Sequence, residues 1–195
     1  MITKNIATTT ISISRIMTSS KPSWQVFWDL QCPYSKISWE KLPDIQNHFS
    51  NDYSFDIKLT DLVFHPQSFV GHGAACLIEK HKGSEDRLKF INACFQNQEK
   101  YLNAALGNAR PSEVDAVFAS IAKDATIFDD QFTEEYFLAH LRDWEESQKP
   151  AYAEHKEALR LQIYGTPKHV IGDLGVIPDS ESSWGVAEFS EKLKK

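Results

Sequence analysis

The stretch Asp29-Leu30-Gln31-Cys32-Pro33-Tyr34-Ser35 places a cysteine directly before a proline, with a serine three positions on. It follows the apolar run Trp24–Leu30 and precedes residues of helical spacing, so Cys32 falls where a strand gives way to a helix. Free amide groups and the positive end of a helix dipole meet there, and both favour a thiolate over a thiol. Pro33 suits the first helical turn, which needs no amide donor. The Ser35 hydroxyl is placed to donate a hydrogen bond to the sulfur. The same cysteine also fits a small buried residue that ends a strand.

A second stretch, Gly165-Thr166-Pro167, stands before the apolar residues His169–Ile171. A proline at the start of a strand lacks a ladder donor and belongs at an irregular place, where a cis Thr166–Pro167 bond is one solution. A plain helix stop, glycine and then proline, is the other. Lys168 and His169 follow. They offer either a cation for a thiolate or a strand-end pair, lysine in solvent and histidine against the sheet. Asp29 is either a buried carboxylate relaying protons to Cys32 or a strand terminator. His65, followed by Pro66, is either near a substrate groove or an ordinary loop residue.

The elements that must position these residues follow from periodicity. Residues 24–30 read as a buried strand and 53–60 as an alternating strand with one wet face, Ser54, Asp56, Lys58 and Thr60. Between them Ile37, Leu42, Ile45 and Phe49 predict a helix, kinked at Pro43. The opening is therefore a βαβ unit with a parallel strand pair. Residues 67–147 predict about four helical segments and no strand. Ser112 is read as the start of one, and Thr133 as the N-cap of another, with Phe132 and Phe137 as a hydrophobic staple. A helix over 150–162 follows, then a hairpin turning at Gly172-Asp173 in a type II′ turn, then a last helix with Ser183 as its cap. Neither end of the chain has enough strands alone, so 23–66 and 148–195 are expected to form one α/β domain, and 67–147 an all-helical insertion.

Composition narrows the function classes. The net charge is −6 with scattered basic residues, which speaks against nucleic acid as the main partner. No apolar run approaches the ~18 residues of a membrane span. Three cysteines, Cys32, Cys76 and Cys94, make no disulfide framework and suit a reducing compartment, cytoplasmic or mitochondrial. Cys76 and Cys94 fall in apolar stripes and read as core. No cysteine or histidine spacing suggests a metal site. Residues 1–22 are rich in Ser and Thr and contain no acid, which fits either a transit-type segment or a disordered tail. The five tryptophans read as core or rim packing.

Taken together, Cys32-Pro33 at the first helix and Gly165-Thr166-Pro167 before the third strand resemble the DsbA-like thiol-disulfide oxidoreductases, thioredoxin-fold proteins with a helical insertion. Asp29 to Tyr34, Pro43 and the segment Phe90–Leu102 share in this likeness, which extends from about residue 23 to 195. It implies a thioredoxin-like core split into βαβ and ββα halves by the insertion. It also implies a cis-proline facing the cysteine, and Thr166 backbone that pairs with a bound peptide or with glutathione. By the same resemblance Cys32 is the nucleophile, Pro33 and Tyr34 shape it, and Thr166 and Pro167 form the opposite wall. Ser35 departs from the dithiol pattern, which has cysteine there, so the motif cannot resolve its own mixed disulfide. A lone thiolate still forms a mixed disulfide that an external thiol resolves. The expectation is a monothiol oxidoreductase whose partners are glutathione, as co-substrate, and protein thiols, with no covalently bound cofactor.

Two alternatives remain. Kappa-class glutathione transferases and hydroxychromene-carboxylate isomerases carry Ser-Pro-Tyr-Ser where this chain has Cys32-Pro33-Tyr34-Ser35, and would hold the glutathione thiol instead of exchanging with it. A non-catalytic module that binds peptides or a partner protein is the other.

Overall fold

The computed structural model describes residues 21–194, so most of the expected N-terminal tail or transit segment lies outside the described residues. Strand β1 (Ser23–Trp28) leads through Cys32 into helix α1 (Pro33–Phe49) and back to β2 (Ser54–Leu59). A helical stretch follows: α2 (Ser68–Lys82), α3 (Ser84–Gln96), α4 (Asn103–Leu106), α5 (Pro111–Asp124) and α6 (Glu134–His140). A π-helical turn at Trp144–Gln148 runs into α7 (Lys149–Arg160). The chain closes with β3 (Lys168–Ile171), β4 (Gly175–Ile177) and α8 (Val186–Leu193).

The four strands form one mixed sheet in the order β2-β1-β3-β4. β1 and β2 are parallel, as the intervening helix requires, while β3 runs antiparallel to both β1 and β4. This is the α/β thioredoxin-like arrangement with a helical insertion. β1 is central and covered on both faces. Trp24, Val26 and Trp28 join the large core with Leu42, Ile45 and Phe49 of α1. Phe27 points the other way, to Ala158 and Ile163.

Several local expectations change. The face of β2 read as wet is so only at its start, where Ser54 is exposed; toward Thr60 α7 covers it, Glu154 accepting the Leu59 amide at 3.0 Å and Lys58 pairing with Asp56 at 3.2 Å and with Glu157 at 3.4 Å. Alternation reported polarity, but the acids of a neighbouring helix balance it. Ile37 does not join the core face of α1; it is exposed, and Ser35 and Ser38 take the buried positions. Helix α1 continues through Pro43 to Phe49. The β3–β4 connection is a three-residue 3₁₀ turn, Gly172–Leu174, with Gly172 and Gly175 at positive φ, where glycine carries no Cβ penalty. Helix α5 starts at Pro111, where Glu113 accepts the Arg110 amide at 2.7 Å, and not at Ser112. At α8 Glu188 accepts the Gly185 amide at 2.8 Å, and Gly185 takes the cap position expected of Ser183. Thr133 caps α6 as expected, accepting the Tyr136 amide at 3.1 Å, and the Phe132 and Phe137 rings lie 6.3 Å apart.

Candidate active site

Cys32 is the N-cap residue of α1, in extended conformation, with Pro33 as the first helical residue. The next two amides, of Tyr34 and Ser35, belong to a helical first turn that has no acceptor within the helix, so they point along the dipole toward the cap. Across from it the Thr166–Pro167 peptide bond is cis. Cys32 Sγ lies 3.4 Å from the Thr166 carbonyl oxygen, a contact between residues 134 positions apart that joins the two halves of the chain. The cysteine is 4% exposed, while Pro33 and Tyr34 stand outside it in solvent. Tyr34, Gly165, Thr166, Pro167, Lys168, Glu181 and Ser182 line an open groove of about 460 Å³ beside the thiol.

The loop that carries Cys32 is held from beneath by buried polar side chains. Asp29 is fully buried; its Oδ1 accepts from the Gln31 amide at 2.7 Å, the Cys32 amide at 3.1 Å and the Ser68 hydroxyl at 3.0 Å. Its Oδ2 accepts the Leu62 amide at 2.7 Å. Burial raises its pKa above the ordinary carboxylate value, against the lowering effect of the Leu62 amide and His65. Gln31 accepts the Gln67 and Ser68 amides at 2.8 and 3.0 Å, so a side chain of the cysteine loop caps α2. Gln98 Nε2 donates to the carbonyl oxygens of Leu30 and Cys32 at 2.7 and 3.1 Å. These buried carboxylate, amide and carbonyl groups thereby find the partners that groups removed from water need.

Ser35 does not play the part expected of it. Its buried hydroxyl oxygen accepts the Asp29 amide at 3.2 Å, and among the described residues no hydrogen bond joins it to Cys32 Sγ. The first turn of α1 folds back over the strand end, which turns position 35 inward. The structure does gather Cys32, Pro33, Tyr34, Thr166 and Pro167 at one place. Lys168 and His169 take the strand-end arrangement. Lys168 Nζ donates to the Pro178 carbonyl oxygen at 2.8 Å. His169 Nδ1 accepts the Trp24 indole N–H at 3.0 Å, and burial, aided by the Lys168 charge, pushes its pKa down to about 3. It is a neutral core residue. His65 lies beside Asp29, with Nδ1 3.0 Å from Oδ1.

The other two cysteines are buried, Cys76 at 5% and Cys94 at 0% exposure, and burial lifts the Cys94 thiol well above its ordinary pKa. All three are unpaired. His72, Cys76 and Glu154 bring metal-ligating atoms within 4.8 Å of one another. Arg87 occupies both Glu154 carboxylate oxygens at 2.8 Å each. His72 lies 2.9 Å from Asp61 and 3.2 Å from Glu154. Burial alone would lower the His72 pKa, but the Asp61 and Glu154 carboxylates outweigh it and hold the ring protonated. Guanidinium and imidazolium thus supply the positive charge that a metal would bring.

Gln31, Ser68 and Gln98 carry the scaffold of the site, yet no sequence reasoning gave them a role. The available signal was polarity inside otherwise apolar segments. The described helices contain none long and apolar enough to cross a membrane.

No family model and no curated protein matches the chain. Solved structures do. A Pseudomonas syringae protein attributed to the protein-disulfide isomerases superimposes with a TM-score of 0.70 at 20% identity, over 88% of this chain and 92% of that one. Oxidised BdbD from Bacillus subtilis gives 0.67 at 20% identity, over 90% and 86%. MdbA, a thiol-disulfide oxidoreductase from Corynebacterium diphtheriae, gives 0.62 at 16% identity, over 86% and 82%. The fold is therefore that of the DsbA-like proteins.

Proposed function

We propose that this chain is a monothiol thiol-disulfide oxidoreductase that works through Cys32 with glutathione as co-substrate. The observation that carries the reading is Cys32 Sγ at a helix N-cap, 3.4 Å from the Thr166 carbonyl oxygen, with a serine at position 35. In the first step the Cys32 thiolate attacks the glutathione sulfur of a glutathionylated protein. The protein thiolate leaves and takes a proton, and Cys32 holds glutathione as a mixed disulfide. In the second step a glutathione thiolate attacks that disulfide, releasing oxidised glutathione and restoring the Cys32 thiolate. One free glutathione is consumed per turnover: its sulfur passes from thiol to disulfide as the protein sulfur passes from disulfide to thiol, and the transferred glutathione sulfur stays at the disulfide level throughout. Neither step needs a second cysteine. The groove beside Tyr34, Thr166 and Pro167 is large enough for a tripeptide, and three unpaired cysteines fit a reducing compartment such as cytoplasm or mitochondrion.

The 4% exposure of Cys32 favours a second reading, a binding module that kept the groove and lost the exchange chemistry. Intact mass after incubation with oxidised glutathione, beside Cys32→Ser, separates the two. One glutathione added to the wild type, absent from the variant and removed by reduced glutathione, supports the exchange cycle. An unmodified wild type rejects it. Conjugation of a small electrophile to glutathione without any Cys32 adduct would favour the transferase-type chemistry.

A further inference from the structure

We propose that His65 is a positioning residue for the Cys32 thiolate, acting through Asp29 to neutralise the charge beneath the nucleophile. The inference rests on Cys32 being a reactive thiol, as proposed above.

Asp29 Oδ1 holds the Cys32 amide at 3.1 Å, which puts a carboxylate directly under the residue that must carry negative charge. A bare carboxylate there opposes the thiolate, since like charges a few ångströms apart in a protein interior each disfavour ionisation of the other. His65 Nδ1 lies 3.0 Å from the same oxygen. That oxygen already accepts from three donors, Gln31, Cys32 and Ser68, and the His65 nitrogen reaches it out of line for a further hydrogen bond. Two unprotonated acceptors at this separation repel, so the approach is stable only with a proton on one of them. In the proposed arrangement the pair holds one proton more than a neutral imidazole and a carboxylate, so that it is neutral overall and sets no charge against the Cys32 thiolate.

The pair has access to water. The His65 side chain is 15% exposed while that of Asp29 is 0% exposed. His65 lines a small open pocket of about 220 Å³ with Asp61, Leu62, Val63, Pro66, Phe69 and His155. The ionisable groups facing the pair are few. From the segment after β2 comes Asp61, whose charge also bears on Asp29. From α7 comes His155, 3.9 Å from Asp61, and from α2 comes His72, 2.9 Å from the same carboxylate. Beyond α3 stands Tyr101, whose own ionisation the Asp29 charge opposes. The strand–helix junction contributes Cys32 itself. Among the described residues no lysine or arginine forms an ion pair with Asp29, which leaves His65 as the basic side chain at that carboxylate.

The test is the pH profile of Cys32 alkylation by iodoacetamide, read by peptide mass, in wild type, His65→Gln, Asp29→Asn and the double variant. Thermal melts confirm that each folds. His65→Gln is expected to shift the alkylation midpoint upward by about one pH unit, slowing the reaction near neutrality about tenfold. In the Asp29→Asn background the same substitution is expected to shift nothing, because no carboxylate remains to neutralise. A loss of packing alone would change melting without moving the midpoint. An unchanged midpoint in His65→Gln, or a full shift that persists with Asn at 29, overturns the inference while leaving glutathione exchange at Cys32 standing. A wild type that does not react at any pH overturns both.

Discussion

The side-chain amide of Gln98 donates to the carbonyl oxygen of Cys32 at 3.1 Å, tying the helical segment between the two halves of the sheet to the residue that carries the thiol. The same nitrogen reaches Leu30 at 2.7 Å, so one side chain spans the loop from strand to helix. Gln98→Ala leaves two buried carbonyl groups without this donor, and the expected loss is about 1–3 kcal/mol of stability. Urea denaturation measures it. The variant is also expected to form the glutathione adduct more slowly than the wild type, because the cap geometry at Cys32 loosens.

Replacing Ser35 by cysteine restores the second thiol that the motif lacks. Ser35→Cys treated with oxidised glutathione is expected to release the first-formed adduct and close a disulfide between Cys32 and the introduced thiol. Intact mass would then show two hydrogen atoms lost and no glutathione retained, the oxidised glutathione leaving as two molecules of the reduced form. Persistent single glutathionylation of the variant would show that the inward orientation of position 35, where the hydroxyl meets the Asp29 amide, keeps the new sulfur out of reach.

The buried charges around Glu154 predict how stability varies with pH. The His72 pKa is raised well above 6.5 in the folded protein, so its contribution is complete below 6.5 and declines as pH rises through the folded value. For Glu154, burial works to raise the pKa, but His72 and Arg87 prevail and depress it strongly. Its contribution is complete above the ordinary value of 4.5 and is lost as pH falls toward the folded value. Melting temperature is expected to be highest between these limits and to decline on both sides. His72→Gln should remove the decline that begins above 6.5 and cost about 3–5 kcal/mol at neutral pH, the penalty of taking the imidazolium from the largely buried Asp61 carboxylate, since Arg87 still holds Glu154. A melting profile of the variant parallel to that of the wild type would refute this.

Helix α2 approaches the cysteine loop closely because position 71 has no side chain. A Cβ there would lie 2.7 Å from the Phe118 ring and 2.8 Å from Leu30. Gly71→Ala is expected to destabilise by about 1–3 kcal/mol through overpacking. Chemical denaturation checks the sign: the small gain in helix propensity would win only if Leu30 and Phe118 had room to move.

The pattern of strands and helices was legible in the sequence because β1 is buried on both faces, α5 keeps clean apolar spacing and α1 keeps it from Leu42 to Phe49. The juxtaposition of Cys32 with Thr166 and Pro167 was legible only through resemblance, since no local signal spans 134 residues. Ser35 was misread for a geometric reason: spacing along a helix says which residues share a face, but not how far the first turn is tipped into the strand end. Asp29 and His65 were each noticed, but their contact was not, because it forms between the end of β1 and the loop after β2. The roles of Gln31, Ser68 and Gln98 are long-range hydrogen bonds, which leave no periodic trace.

The cap that Gln31 places on α2 has a wider consequence. The bank of the groove that holds the thiol is immobilised by three separate segments, so a change there disturbs the start of α2 as well. The facing bank, with Lys168, Glu181 and Ser182, is held by bonds within its own segment, such as Lys168 Nζ to the Pro178 carbonyl oxygen at 2.8 Å. Substitutions on that side are therefore expected to change what the groove admits while leaving the cysteine loop and the start of α2 undisturbed.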